Sequence, residues 1–296
     1  MEWWCSSSLA PWTWSPNPYI GALLIVAAMA GVGVWWSVRG RHTDPIEAAR
    51  AGSTATDVRG TSKGRTISFV LGLIGFWVVL DWPLASLGAG YLVSAQMIRQ
   101  VLMIMVVSPL LLFAVPPALA VRIVGWGTGL RLLQTAARPI VAVPFVAGML
   151  LLINVPAVVD ALLPTQYGAF IMDAGWVLAG LVLWMPVQCP HPGVRRLEGA
   201  VALMYLIGQS IVPVLPGFFT TWADHPVYAT YELAPRVIDG LDPVTDQQAA
   251  AGILQVGSMF LLWLQIGYRF LAWGSREMES NRVAAKAMRG PGPSAA

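Results

Sequence analysis

Charge is scarce in this chain: charged residues fill 11% of its 296 positions against 56% hydrophobic, and the mean hydropathy is +0.65. Soluble domains carry about 25% charged residues, so a water-soluble core is excluded. Histidine is scarce as well, and the 3 present, His42, His191 and His225, share no zinc or copper spacing. The 2 cysteines, Cys5 and Cys189, form no CxxC pair. No HExxH motif, Ser/His couple or paired-Asp arrangement supports a hydrolase, and no enzymatic activity is expected. The alternation of apolar and polar residues that a membrane barrel strand requires is missing too.

In place of charge stand seven continuous apolar stretches, at about 19–38, 66–80, 93–114, 139–159, 169–187, 197–217 and 248–273. Most approach the roughly 20 residues that span about 30 Å of hydrocarbon at a 1.5 Å rise per residue. The fold class is therefore all-α: a polytopic bundle of seven transmembrane helices over residues 1–278, with a disordered cytoplasmic tail at 279–296. All but Arg99 and Arg236 of the 18 basic residues fall in alternate connections or in the tail, which sets those on the cytoplasmic side. Glu2, Asp81, Asp160, Asp224, Glu232, Asp239, Asp242 and Asp246 fall opposite, so the N-terminus is expected outside and the C-terminus inside. Cys5 and Cys189 then lie on opposite sides, and no disulfide can join them. The formal charge of +3 reports this topology and calls for no nucleic-acid partner. The lipid bilayer is the implied surrounding.

Met1 to Trp14 lacks the basic start of a cleavable signal, and Trp3, Trp4, Trp12 and Trp14 suit an interfacial anchor. The connection from Pro117 to Ala137 reads as one amphipathic surface helix. The last stretch contains no Lys, which excludes a retinal Schiff base there.

The third stretch carries the chemistry. Gln96, Arg99, Gln100 and Met103 share one helical face through i, i+3, i+4 and i+7 spacing. Arg99 lies about six residues inside the outer end, roughly 9 Å down the axis, where an unpaired guanidinium facing lipid costs several kcal/mol. Asp173 on the fifth stretch sits at matching depth and is the expected partner through a bidentate or near-bidentate contact; Asp81 is the rival. Asp242, Thr245 and Asp246 precede the seventh helix, so one of them should cap it. With Gln247, Asp246 is expected to join Asp81, Arg99 and Asp173 around an outer vestibule. Pro109, Pro144, Pro213 and Pro216 interrupt spans, and Gln209 and Ser210 are placed to satisfy the backbone before Pro213 or to line an ion path.

Asp81-Trp-Pro-Leu, Ser94-Ala-Gln-Met-Ile-Arg-Gln-Val-Leu-Met and Ser108-Pro-Leu-Leu-Leu-Phe-Ala-Val-Pro116 resemble segments of the CtaG-like cytochrome c oxidase assembly factors. Gly180-Leu-Val-Leu-Trp184-Met-Pro-Val187 is similar to that family's Gly-x-x-x-Trp-x-Pro segment. Pro226-Val-Tyr228 and Asp242-Pro-Val-Thr-Asp246-Gln-Gln-Ala-Ala-Ala-Gly252 resemble its last outer loop and the start of its seventh helix. The resemblance runs from about Trp12 to Trp273. It implies a bacterial plasma-membrane protein that contacts cytochrome c oxidase subunits during copper-centre maturation of a haem-copper oxidase, without catalytic turnover.

In such proteins the third span carries Ser-Ala-His-Met-x-Gln-His and the fifth another His pair at i, i+4, a set suited to copper. Here Gln96 and Gln100 stand at the first pair of positions, with Arg99 between them, and Ala169 and Asp173 stand at the second. Amides bind copper poorly, and a guanidinium repels it. A family-type site is therefore expected to be absent, with an Arg99–Asp173 pair in its structural place. Met97, Met103, Met105 and Met172 could offer thioethers to Cu(I), and His225 with Asp224 an imidazole, although buried Met is more often packing filler. A small-solute or ion transporter using the same vestibule is the competing class; the missing inverted repeat counts against it.

Overall fold

The computed structural model describes residues 3–6, 17–39, 55–81 and 83–288, and all regular structure among them is helical. In chain order the helices are α1 (Pro18–Arg39), α2 (Ala55–Leu80), α3 (Leu84–Gly90), α4 (Val93–Ala114), α5 (Pro117–Val124) and α6 (Thr128–Ala136). They continue as α7 (Pro139–Ile153), α8 (Pro156–Leu162), α9 (Gln166–Gln188), α10 (Gly199–Thr221) and α11 (Ala229–Glu232). The last, α12, starts at Pro243, passes a π-turn at Ile253–Gly257 and continues through Ser258–Met288.

Among the described residues five helices are long and apolar enough to cross a membrane: α4, α9, α10, and the Lys63–Leu80 and Pro243–Glu279 parts of α2 and α12. A sixth forms if α6 and α7, bent by 74° at their junction, count as one span. Pro18–Val32 of α1 is a shorter apolar helix. The chain is an all-helical, multi-pass membrane protein.

Prolines open these helices more often than they break them. Pro117, Pro139, Pro156 and Pro243 each occupy the first helical turn, where a missing N–H costs nothing. Pro18 starts α1 behind Asn17, whose Oδ1 accepts from the Tyr19 amide at 3.0 Å. Thr165 caps α9 by accepting from the Gly168 amide at 3.0 Å. Of the three residues expected to cap the last helix, Asp242 does so, taking the Val244 and Thr245 amides at 2.9 Å.

The Thr245 hydroxyl and backbone amide, then the Val244 amide, hold the Asp242 carboxyl below the usual carboxylate range. A lowered folded value means the stabilisation is complete above the free carboxylate pKa of about 3.9 and is lost as pH falls through the folded value. Hydrogen exchange at Val244 and Thr245, referenced to intrinsic rates, should therefore speed up between about pH 4 and about pH 2. In Asp242→Ala it should be fast throughout.

Several expected boundaries move. The amphipathic connection is two helices, because Gly125 takes φ 69° between α5 and α6, a conformation open to glycine. The fourth stretch ends early: Asn154 Nδ2 donates to the Leu150 carbonyl at 2.8 Å, and the chain turns into α8 before reaching 159. Part of the tail expected from 279 is helical, since α12 runs on as far as Met288. His42, Trp12, Trp14 and the residues after Met288 lie outside the described residues.

Packing centres on α4 and α9, which bury most of their length. Inside a bilayer helices gain little from excluding water, so close approach through small residues governs association. A Cβ on Gly180 of α9 would collide with Ser108 Oγ and come within 3.1 Å of the Ile104 Cα. The two backbones therefore meet here, and Trp184 Nε1 donates to the Ile104 carbonyl at 2.8 Å. That carbonyl lies in a π-turn at Met103–Val107, just before Pro109. Ser108 Oγ donates to the Met103 carbonyl at 2.8 Å, and Gln188 Nε2 to the Pro109 carbonyl at 2.9 Å. In α10, Ser210 Oγ donates to the Ile207 carbonyl at 2.7 Å, and Gln209 Nε2 to the Tyr205 hydroxyl at 2.9 Å. These contacts are local and structural.

Candidate functional site

Two ends of the bundle differ in chemistry. One end gathers Asp81, Asp160, Asp242 and Asp246; the other gathers Arg65, Arg122, Arg131, Arg138, Arg195, Arg196 and Arg269. The arginine of α4 lies toward the acidic end, 2% exposed, and faces α9.

Arg99 Nη2 donates to both Asp173 oxygens at 3.0 Å. The expected partners meet: one nitrogen bridges the carboxylate, and the rest of the fork goes elsewhere. Nη1 donates to Gln96 Oε1 at 2.8 Å and Nε to the Val79 carbonyl at 2.8 Å. Val79 is in the last turn of α2, where carbonyls lack helical partners and favour a cation. The guanidinium also lies 5.3 Å from the Trp176 ring centroid. One side chain thus ties α2, α4 and α9 together.

The carboxylate has a second donor that the sequence did not suggest. Trp4 Nε1 donates to Asp173 Oδ2 at 2.8 Å, and Trp4 is 7% exposed. Its ring meets Phe170 edge-on at 5.0 Å. Trp4 is therefore a cover over the ion pair, correcting its expected role as an interfacial anchor; Trp3, 37% exposed, is the one that lies at the surface. Trp4→Phe keeps the ring and removes a charge-assisted hydrogen bond, so it should cost about 1.5–3 kcal/mol in thermal unfolding. Trp3→Phe should cost under about 0.5 kcal/mol.

Asp81 does not compete for Arg99. Its Oδ2 accepts from Trp77 Nε1 at 2.8 Å and its Oδ1 from the Asn17 amide at 3.0 Å, which fixes the start of α1 against the end of α2. Asp246 also serves a neighbouring helix. Its Oδ2 accepts from the Val93 amide at 2.6 Å, and its Oδ1 accepts from the Ser94 amide and hydroxyl, capping α4 from α12. Gln247 fastens the loop between α10 and α11, accepting from the Val227 amide at 2.8 Å and donating to the Thr220 carbonyl at 3.2 Å. Asp81, Asp173, Asp246 and Gln247 are each buried, and each is held by hydrogen-bond partners of its own.

Sequence reasoning also missed Asp160 and Tyr231. Asp160 caps α11 by accepting from the Ala229 and Thr230 amides at 3.1 and 2.9 Å. The Tyr231 hydroxyl donates to the Gly88 carbonyl of α3 at 2.6 Å, and burial pushes its phenol well above the ordinary value. No periodicity marks either residue. Trp176 could have been found, since it follows Asp173 by three residues and shares its face.

The residues present do not fit a copper ion. Both Asp173 oxygens and Gln96 Oε1 already accept hydrogen bonds, while Gln96 Nε2, Gln100 Nε2 and Trp176 Nε1 are buried donors with no partner among the described residues. Surplus N–H groups around a guanidinium disfavour a cation. No group of three His, Cys, Asp or Glu residues among the described residues could hold a metal. Met97, Met103, Met105 and Met172 are buried in the hydrophobic core. His225 is exposed, and its described contact is through its carbonyl, 3.5 Å from Gln247 Nε2. His191 is fully buried, with Nδ1 accepting from the Gly193 amide at 3.0 Å.

Fold and site together define a multi-pass helical membrane protein built around a sealed intramembrane ion pair. The family described as cytochrome c oxidase caa3 assembly factor (Caa3_CtaG) matches residues 48–276. The chain belongs to that family. No curated protein and no solved structure matches it.

Proposed function

We propose that this protein assists assembly of a haem-copper oxidase in the bacterial plasma membrane by contacting oxidase subunits, without itself holding copper. The observation that carries this reading is the Arg99–Asp173 pair, closed over by Trp4, in a segment where Gln96, Gln100, Ala169 and Asp173 stand at the positions that the resemblance gives to histidines. Copper belongs to the family role, as the metal of the centre being matured. In this chain the corresponding side chains are committed to one another. The topology that suits this role is seven spans over 1–278 with the N-terminus outside and the C-terminus cytoplasmic. The cluster of Asp81, Gln96, Arg99, Gln100, Asp173, Asp246 and Gln247 holds the outward-facing end in shape.

The transporter alternative would need an open path through the same cluster. Residual exposure of 1–4% across those seven residues weighs against it.

The test pairs two measurements. A strain lacking this protein should lose oxidase activity and regain it with the wild-type chain, while the purified protein should carry well under one copper per chain after exposure to Cu(I). Stoichiometric copper lost on Asp173→Asn would refute the metal-free reading. Normal oxidase in the deletion strain would remove the assembly role.

A further inference from the structure

We propose that Arg65, Arg196 and Arg269 form a binding site for a phosphate-bearing anion at the basic end of the bundle. The three come from distant segments: α2, the loop after α9, and α12. Packing brings them together. Gly64 lies 4.0 Å, by its added Cβ, from Phe113 near the end of α4, and Gln188 at the end of α9 donates to the Pro109 carbonyl of the same helix at 2.9 Å. Arg269 Nη2 donates to Gln188 Oε1 at 3.2 Å, and Arg196 Nε to the Cys189 carbonyl at 2.7 Å.

Electrostatic coupling links Arg196 to both of the others. Like charges held this close repel, and the repulsion grows where helices exclude water. None of the three pairs with a carboxylate among the described residues, although the chain pairs Arg99 fully. More telling are the Nε atoms of Arg65 and Arg269, both buried and both without an acceptor among the described residues. A buried donor normally finds a partner. Two vacant guanidinium donors beside a third positive charge match the several oxygens of a phosphate group.

Two sources carry that group: the headgroup of an anionic lipid and free phosphate. Arg65 and Arg269 lie within segments apolar enough to cross the membrane, toward their basic ends, which is headgroup depth for an inner leaflet. The inference is independent of the assembly role, because it uses none of the residues at the acidic end.

The full chain in a neutral detergent is the material, with native mass spectrometry of bound dioleoylphosphatidylglycerol and dioleoylphosphatidylcholine, and thermal unfolding with and without inorganic phosphate. The wild type should retain phosphatidylglycerol about 10-fold better than phosphatidylcholine, and Arg65→Gln/Arg269→Gln should erase that preference. Arg236→Gln, at the opposite end, should leave it intact. Stabilisation by inorganic phosphate in the wild type but not in the double variant would assign the site to a soluble anion. If the double variant fails to fold, Arg196→Gln, which alters an exposed side chain, should still reduce the preference about 3-fold. Equal lipid retention by the wild type and the arginine variants, together with no phosphate effect, overturns the proposal.

Discussion

Replacing Asp173 by Asn should destabilise the protein by about 3–5 kcal/mol, the cost of leaving a guanidinium buried without its counter-charge. Replacing both partners with apolar residues, Arg99→Met with Asp173→Leu, should cost much less. The asymmetry follows from desolvation. A matched pair returns little net stability for the energy spent removing two ions from water, so deleting both loses little, whereas deleting one strands the other. Arg99 would keep its contacts to Gln96 and Val79, but both are neutral acceptors. The readout is thermal unfolding in detergent of the wild type, both single variants and the double variant as a cycle. A coupling energy below about 0.5 kcal/mol would place the two groups in independent roles.

Gly180→Val should be nearly as damaging, for a steric reason. The added atoms meet Ser108 Oγ and the Ile104 backbone, and a backbone atom cannot rotate away. Separating α9 from α4 would also stretch the Trp184 hydrogen bond to Ile104 and the Gln188 bond to Pro109. A loss of about 3 kcal/mol or more, or failure to accumulate in the membrane, is expected. Gly180→Ala should be milder, and combining it with Ser108→Gly should recover part of the loss by vacating the nearest contact. Full tolerance of Gly180→Val in expression and unfolding would show that the helices do not need this approach.

The charge pair was legible in the sequence because hydrocarbon leaves an isolated ion few options. Arg99 and Asp173 sit at similar depth in two apolar stretches, and depth can be counted at 1.5 Å per residue. Asp246 was legible only as a polar residue near the start of a helix. Its actual work, capping α4 across the bundle, depends on the relative heights of α4 and α12, which no spacing within either helix encodes. Trp4 was misread because interfacial anchors and buried lids have the same composition. The family-like Gly-x-x-x-Trp segment carried the reverse difficulty: the pattern was visible, while its cause, a glycine at a backbone crossing followed one turn later by an indole donor, required the facing helix.

By itself, the sequence determined that the chain is helical, crosses a membrane repeatedly, gathers nearly all its basic residues in alternate connections and the tail, and buries an ion that needs a counter-charge. Hydrophobic length and charge placement are one-dimensional properties, so one dimension suffices to read them. Tertiary structure alone decided that one Arg99 nitrogen bridges both carboxylate oxygens, that Trp4 closes the site, that Asp246 serves a different helix, and that three arginines converge. Each of those depends on segments far apart in the chain meeting at angles and heights set by side-chain packing, information that is distributed over every helix at once.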